Sequence, residues 1–366
     1  MKNTFGHSVA VTLFGESHGE SIGAVIDGLP AGIPVDRDRI ASKLSLRRPW
    51  GKLSTSRAEQ DNFSIVSGVF NGYTTGAPLC IIIPNKDTDS SKYSSLFRTP
   101  RPGHADYTGG CKYHGFQDYR GGGHFSGRLT APLVAAGAII SAALESKGIK
   151  IATHISQIAG VKDTPFTQEN MEKTIDMLNN SLFAVIDEEK SVLMQEEITR
   201  AASEGDSVGG ILETAVIGVP AGVGEPWFDS VECVISQGMF AIPAVKGVEF
   251  GAGFSFAEMR GSKANDGFYI NNGTVYTKTN NNGGINGGIT NGMPILFRTA
   301  VKPTPSVFVK QDTVDLETME NTVMSLAGRH DPCIVHRARA VVDAVTAMAV
   351  ADMLCLRFGT DWLGGR

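Results

Sequence analysis

Residues 101–128 read RPGHADYTGGCKYHGFQDYRGGGHFSGR, and residues 129–147 continue as LTAPLVAAGAIISAALESK before Gly148. The second stretch is rich in helix formers and apolar around much of its circumference, so it predicts a buried helix that Gly148 stops. The first would build a poor core, because eight Gly and three His stand among Arg101, Lys112, Arg120 and Arg128. Glycine exposes backbone N–H groups and admits a ligand closely, Arg offers a planar fork to carboxylate or phosphate, and His exchanges a proton near neutral pH. A glycine-rich run that ends at a helix N-terminus therefore reads as a phosphate cradle opening a core helix. A tight turn alone would also explain three consecutive glycines, but the imidazoles and guanidiniums in the same segment favour an anion site.

Outward from this stretch the chain mixes strands and helices. Val9, Val11 and Leu13 alternate before GESHGES, and an apolar run resumes at Ile22, which predicts two strands joined by a loop carrying Glu16, Ser17 and His18. A short helix over 36–46, opened by Asp36, leads into a loop with Arg47, Arg48, Lys52 and Arg57. Strands are predicted at 63–70, 78–83 and 150–158, and helices at 167–179 and 187–204. Alternating segments at 211–219, 231–235, 274–278 and 294–301 read as further strands, antiparallel because no helices intervene. Two helices are predicted to close the chain, near 315–326 and over 332–358. No linker or repeat divides these regions, so residues 1–366 read as one domain.

Composition narrows the function. The 366 residues carry a formal net charge of −5, which opposes general affinity for nucleic acid or an anionic membrane, so an anionic ligand needs a local basic patch. The five cysteines are scattered without a C-x-x-C pair, as in a reducing cytoplasm, and no secretory leader or unbroken apolar run of membrane length is apparent. With no H-E-x-x-H and no carboxylate cluster, a metal centre has no support, and the P-loop and serine-hydrolase motifs are missing.

Three polar segments hold six of the eight histidines: His18; His104, His114 and His124; His330 and His336. His104 lies between Gly103 and Asp106 rather than on an apolar face, which suits proton transfer. In GRHDPCIVHRARAVV at 328–342, Asp331 before Pro332 is an ordinary helix start, and capping alone would explain the carboxylate; Arg329 and His330 beside it would also welcome an anion. Lys302-Pro303-Thr304-Pro305-Ser306 offers donors on an extended backbone, or simply a rigid surface turn.

These residues also form a set. FGESHG at 14–19, RPGHADYT at 101–108, YRGGG at 119–123, VKGVEFG at 245–251 and GRHDPC at 328–333 resemble, in order and along nearly the whole chain, the chorismate synthases. The resemblance implies an α+β fold, a sandwich with helices packed between antiparallel β-sheets, assembled as a homotetramer. It implies conversion of 5-enolpyruvylshikimate-3-phosphate to chorismate and phosphate with reduced FMN, the last shared step toward aromatic amino acids. NADPH enters only indirectly, as a source of reduced flavin, since members that reduce their own flavin tend to be longer.

Carried over by motif, His18 resembles the proton donor to the departing phosphate, and His104 the group that protonates reduced flavin at its N1–C2 edge. Asp331 resembles the carboxylate that, with flavin N5, assists proton removal from substrate carbon 6, and Ser17 and Ser126 resemble a relay. The substrate's two carboxylates and phosphate call for cations, for which Arg47, Arg48, Arg57, Arg101 and Arg128 are the candidates. Matching flavin positions are His124, Phe125, Ser126, Pro243, Ala244, Gly287, Lys302, Pro303, Thr304, Pro305, Ser306 and Arg329. The chain departs from many relatives at His124-Phe125-Ser126, where they carry Arg-Ser-Ser, and in the length and detail of RRPWGKLSTSR at 47–57. Two other readings remain at this point: an FMN- and NADPH-dependent flavin reductase, and a non-catalytic anion binder, for which the paired histidines would be superfluous.

Overall fold

The computed structural model describes residues 3–54, 60–86, 98–326 and 331–364. Period-two alternation near the N-terminus becomes β1 (Thr4–Phe5), β2 (Ala10–Gly15) and β3 (Ser21–Asp27). After β4 (Ser64–Ser67) and the small hairpin of β5 (Val69–Phe70) and β6 (Tyr73–Thr74) comes β7 (Leu79–Pro84). The antiparallel sheet runs β1-β2-β3-β7-β4. Its register decides where the chemistry-bearing loop falls. Gly15 pairs with Ile22, so residues 16–20 emerge at one end of the β2–β3 hairpin, and Ser21 pairs with Pro84, so the exit of β7 lies beside them.

The second half supplies β8 (Lys150–Ile158), β9 (Val161–Lys162), β10 (Gly210–Ile217), β11 (Val245–Phe250), β12 (Phe268–Asn271), β13 (Thr274–Thr277), β14 (Ile285–Asn286), β15 (Ile289–Thr290), β16 (Ile295–Val301), β17 (Gln311–Asp315) and β18 (Glu320–Met324). Five of these make a second antiparallel sheet in the order β11-β16-β10-β8-β9, while β12–β13, β14–β15 and β17–β18 are separate hairpins.

The helices are α1 (Arg37–Arg47), α2 (Asp106–Tyr113), α3 (Thr130–Ser146), α4 (Met171–Asn179), α5 (Glu188–Ser203), α6 (Val231–Ala241), the single turn α7 (Gly261–Ala264) and α8 (Val335–Phe358). Asp36 and Asp187 cap α1 and α5 with side-chain acceptors, and α3 ends before Gly148, whose φ of +79° suits a C-terminal stop. Helix α3 packs on β3 and β7 of the first sheet and on β8 of the second, while α8 packs on β8 and β10. The two helices are themselves in close contact: a Cβ added at Gly137 would stand 2.4 Å from that of Ala344. One buried apolar cluster therefore runs from Ile22 and Ile81 through Ala135, Ile140 and Val345 to Leu212 and Phe297. Each fully buried Ile or Leu there contributes about 2 kcal/mol of transfer free energy. The arrangement is α+β, with helices between antiparallel sheets. Residues Gly127–Ser146 are long and apolar enough to cross a membrane by composition alone, and their burial between the sheets accounts for that character.

Three expectations from local pattern fail. Residues 231–235 are not a strand but the start of α6, whose cap Ser230 accepts from the Cys233 N–H and whose Gly238 packs against Val345 of α8. Residues 315–326 are not a helix: β17 and β18 form a hairpin in which Asp315 Oδ1 accepts from the N–H groups of Glu317 and Thr318, and Met319 has φ +57°. That hairpin is docked by Thr313 Oγ1 donating to Pro100 O at 2.6 Å, and by Arg98 Nε paired with Asp315 at 2.6 Å. Asp331 is not a helix cap either. Helix α8 begins at Val335 after Ile334, and the Asp331 carboxylate is paired with Arg337 one turn inside.

Candidate active site

The GESHG loop closes on the glycine run. Ser17 N–H donates to Gly123 O at 3.1 Å, and the His124 Nδ1 hydrogen-bonds Gly15 O at 2.8 Å. His18 is 7% exposed, and its Nδ1 hydrogen-bonds Ser17 Oγ at 3.1 Å. Gly121, Gly122 and Gly123 all have positive φ, and the reason for glycine is visible on two of them. A Cβ at Gly121 would stand 2.0 Å from His18 Cε1, and one at Gly122 3.4 Å from His104 Cε1 and Nε2. Consecutive glycines thus face the two histidines that the motifs single out.

His104 is held by a half-buried network. Arg101 Nε donates to Asp106 Oδ2 at 2.8 Å and its NH2 to Oδ1 at 2.9 Å, while His104 Nδ1 lies 2.6 Å from that same Oδ1. Burial alone would raise the Asp106 carboxyl, but hydrogen bonds from Arg101 and His104 and the Arg101 charge hold it far below the usual carboxylate range. An ionised acceptor fixes the proton of His104 on Nδ1 and leaves Nε2 toward Gly122. Arg101 NH1 also donates to Ser306 Oγ at 3.4 Å. Segment 302–306 packs on the same turn: Lys302 Nζ donates to Gly103 O, and a Cβ at Gly103 would meet Pro305 Cβ at 3.4 Å. Lys302 N–H donates to Ala244 O at 2.9 Å, which brings in the Pro243–Ala244 turn, where Ala244 has φ +73°. Burial, then the nearby Lys246 charge, lowers the pKa of Lys302.

A third cluster gathers cations around one acid. Asp61, whose side chain is fully buried, pairs with Arg47 NH2 at 3.1 Å and with Arg128 NH1, and lies 3.8 Å from Arg48 Nε. Burial works to raise the Asp61 carboxyl, yet the Arg47 and Arg128 charges outweigh it and keep it ionised below its ordinary value. For Arg47 burial prevails over Asp61 and pushes the pKa down. Among the described residues, three guanidiniums face this one carboxylate. Arg337 extends the cluster, donating to Arg47 O at 3.5 Å and to Asp331. Arg128 joins the cluster to the rest, because its Nε donates to Asn85 Oδ1 at 3.1 Å and its N–H to Ser126 Oγ at 3.2 Å.

The structure thus brings together His18, His104, Ser17, Ser126, Arg47, Arg48, Arg101, Arg128, Asp331, His124, Pro243, Ala244 and residues 302–306 through linked contacts. Phe125 belongs to the same turn, but its ring lies on α2, with Gly109 and Tyr113 as neighbours. Gly287 stands apart at the β14–β15 turn with open space around it. Arg57 and Arg329 lie outside the described residues, as does His330. His336 is fully buried, packed against Trp50 and Phe183 and bonded to Ser54 Oγ at 2.9 Å; burial and the Arg337 charge push its pKa down to about 3, so it cannot serve as an acid near neutrality. Asp61 and Asn85 were not legible as site residues in the sequence. Isolated polar residues in connecting segments carry no signal of their own, although Asp106 is visible inside RPGHAD.

The donor set suits anionic and planar ligands. Among the described residues, Arg47 Nε, Arg48 Nε, Arg337 Nε and Thr304 Oγ1 are buried without a protein hydrogen-bond partner, a costly state that a ligand oxygen would relieve. The glycine run lets both imidazoles pack against its backbone. The site therefore carries imidazoles able to exchange protons beside donors suited to an anion.

A family model described as Chorismate synthase matches residues 9–355. The chorismate synthase of Thermococcus gammatolerans is 48% identical over 352 residues, covering 96% of this chain and 97% of its own, and that of Pyrococcus abyssi is 49% identical with the same coverage. A solved structure titled Crystal Structure of Chorismate Synthase superposes with a TM-score of 0.77 at 30% identity, over 97% of this chain and 94% of that one. The chain belongs to the chorismate synthase family, and so is a carbon–oxygen lyase acting on a phosphate ester.

Proposed function

We propose that this chain, as one domain within a cytoplasmic homotetramer, converts 5-enolpyruvylshikimate-3-phosphate to chorismate and phosphate by 1,4-elimination, on the route to aromatic amino acids. The observation that carries the reading is the seating of His18 and His104 against consecutive glycines, beside the guanidiniums gathered on Asp61. Arg47, Arg48, Arg128 and Arg101 bind the substrate's carboxylates and phosphate, with Arg57 as a further candidate. His18 gives its proton to the departing phosphate, oriented through Nδ1 by Ser17. The preformed cations stabilise the charge that grows on the leaving oxygen. Asp331 assists proton removal from carbon 6, held in place by Arg337. Ser126 accepts from the Arg128 N–H and so steadies the turn between the glycines and α3.

Reduced FMN fits the same site and supplies electron density to the breaking carbon–oxygen bond when bound. His124, Phe125, Ser126, Pro243, Ala244, Lys302 to Ser306 and Arg329 are the residues proposed to hold it, with Thr304 Oγ1 as a donor without a protein partner; Gly287, which stands apart from them, is a further candidate. His104, with Nδ1 anchored on Asp106, would present Nε2 for proton transfer to the flavin's N1–C2 edge.

The test is anaerobic incubation with the enolpyruvyl phosphate, with and without dithionite-reduced FMN, following phosphate and chorismate together. Equal release of both, dependent on reduced FMN, is expected. Phosphate without chorismate, or steady NADPH oxidation without either product, would overturn the reading, the latter in favour of a flavin reductase.

A further inference from the structure

We infer that Asn85 is a positioning residue that fixes the His18 loop relative to the Arg128 guanidinium; the inference rests on the function proposed above. Asn85 leaves the sheet just after β7, whose last residue, Pro84, pairs with Ser21 at the return of the GESHG loop. Both sides of its side-chain amide are then engaged. Nδ2 donates to Glu16 O and to Gly19 O, both at 2.9 Å, and Oδ1 accepts from Arg128 Nε at 3.1 Å. Its backbone N–H donates to Glu20 O at 3.1 Å.

The two carbonyls flank Ser17 and His18, so one planar group clamps both ends of the segment that carries the proton donor. Its opposite edge holds a cation of the anion site. Elimination needs the proton delivered to the oxygen of the phosphate that the cations grip, which makes the separation of His18 and Arg128 part of the chemistry. Only a carboxamide supplies two donors and an acceptor in this plane. Aspartate would keep the bond to Arg128 but lose both donors and set a charge against two carbonyl oxygens. Among the described residues, Gly19 N–H to Glu16 O, and Ser17 N–H to Gly123 O and His124 Nδ1 to Gly15 O on the glycine turn, hold the loop's backbone but do not touch the Arg128 guanidinium.

The experiment is a double-mutant cycle of Asn85→Ala and His18→Ala in the full-length chain with reduced FMN, read as kcat in single turnovers. Substrate affinity is measured separately by calorimetry, and Tm for every variant. Asn85→Ala is expected to lower kcat by about 30- to 100-fold, as a displacement on the order of 1 Å does, with substrate Kd rising less than the turnover falls. In the His18→Ala background the same change should cost less than about twofold, because groups acting as a unit are non-additive. Should Asn85→Ala fail to fold, Asn85→Asp, of equal size, replaces it and should show the same loss of kcat. Turnover within about twofold of the unsubstituted chain for the variant that folds, or an equal fold-loss with and without His18, would overturn the inference. The unsubstituted chain is the control that keeps the two readings apart: its failure to make chorismate sinks the proposed function, whereas its success with an indifferent Asn85 sinks only this one.

Discussion

Replacing Gly121 by Ala tests whether the glycine run exists to seat His18. The added Cβ would lie 2.0 Å from His18 Cε1, 2.1 Å from Nδ1 and 2.8 Å from Ser17 Oγ. Carbon atoms in contact settle at about 3.5 Å, so the imidazole must retreat by roughly 1.5 Å and its bond to Ser17 must break. Gly121 has φ +58°, where a residue with a Cβ carries an additional strain of about 1 kcal/mol. The stability loss should therefore be modest, about 1–3 kcal/mol with the clash included. The loss of kcat should reach about 100-fold, because a displaced acid no longer meets the leaving oxygen. Gly127→Ala is the control, since that glycine has open space around it and no positive φ. The assay is chorismate formation with reduced FMN, alongside Tm by calorimetry. A Gly121→Ala enzyme that turns over like the control would refute the reasoning, as would a loss of kcat that merely tracks the unfolded fraction.

Asp106→Asn should lower kcat by about 10- to 100-fold by releasing the tautomer of His104. The native carboxyl has a depressed pKa, so it contributes stability that is full above the ordinary carboxylate range and fades as pH falls through it; the Asn variant should lose that acid-dependent part in Tm measured from pH 6 downward. His336 is neutral in the fold with a pKa near 3 but charges more readily in the unfolded chain. It therefore costs stability progressively as pH falls from the ordinary imidazole value toward 3. His336→Phe should flatten the fall of Tm across that window, and an unchanged slope would show that another group governs it.

The glycine-rich stretch, the GESHG hairpin and helices α1, α3 and α5 were legible because each carries its own signal: a cap, a stop, or a period. The long apolar helix α8 was legible too, except for its start. Where local signals compete, the sequence misleads. The segment VECVI has β-branched residues enough for a strand, yet Ser230 caps it and α8 offers a face for it to pack on, so it is a helix. Residues 315–326 hold helix formers, but the Asp315 turn and its ion pair with Arg98 favour a hairpin. The Asp331-Pro332 pair has the look of a helix start, and Arg337 claims the carboxylate instead.

The sequence by itself determined the chemistry: which imidazoles, guanidiniums and glycines are present, and that the glycines end at a core helix. Those properties reside in residue types and near neighbours. Only the tertiary structure decided that Gly121 faces His18, that Asp61 collects Arg47, Arg48 and Arg128, and that Asn85 bridges a loop 66 residues away in sequence. Such pairings follow from strand register and from two helices packed between sheets. A side chain's neighbours across the fold are set by that packing and leave no mark on its neighbours in the chain.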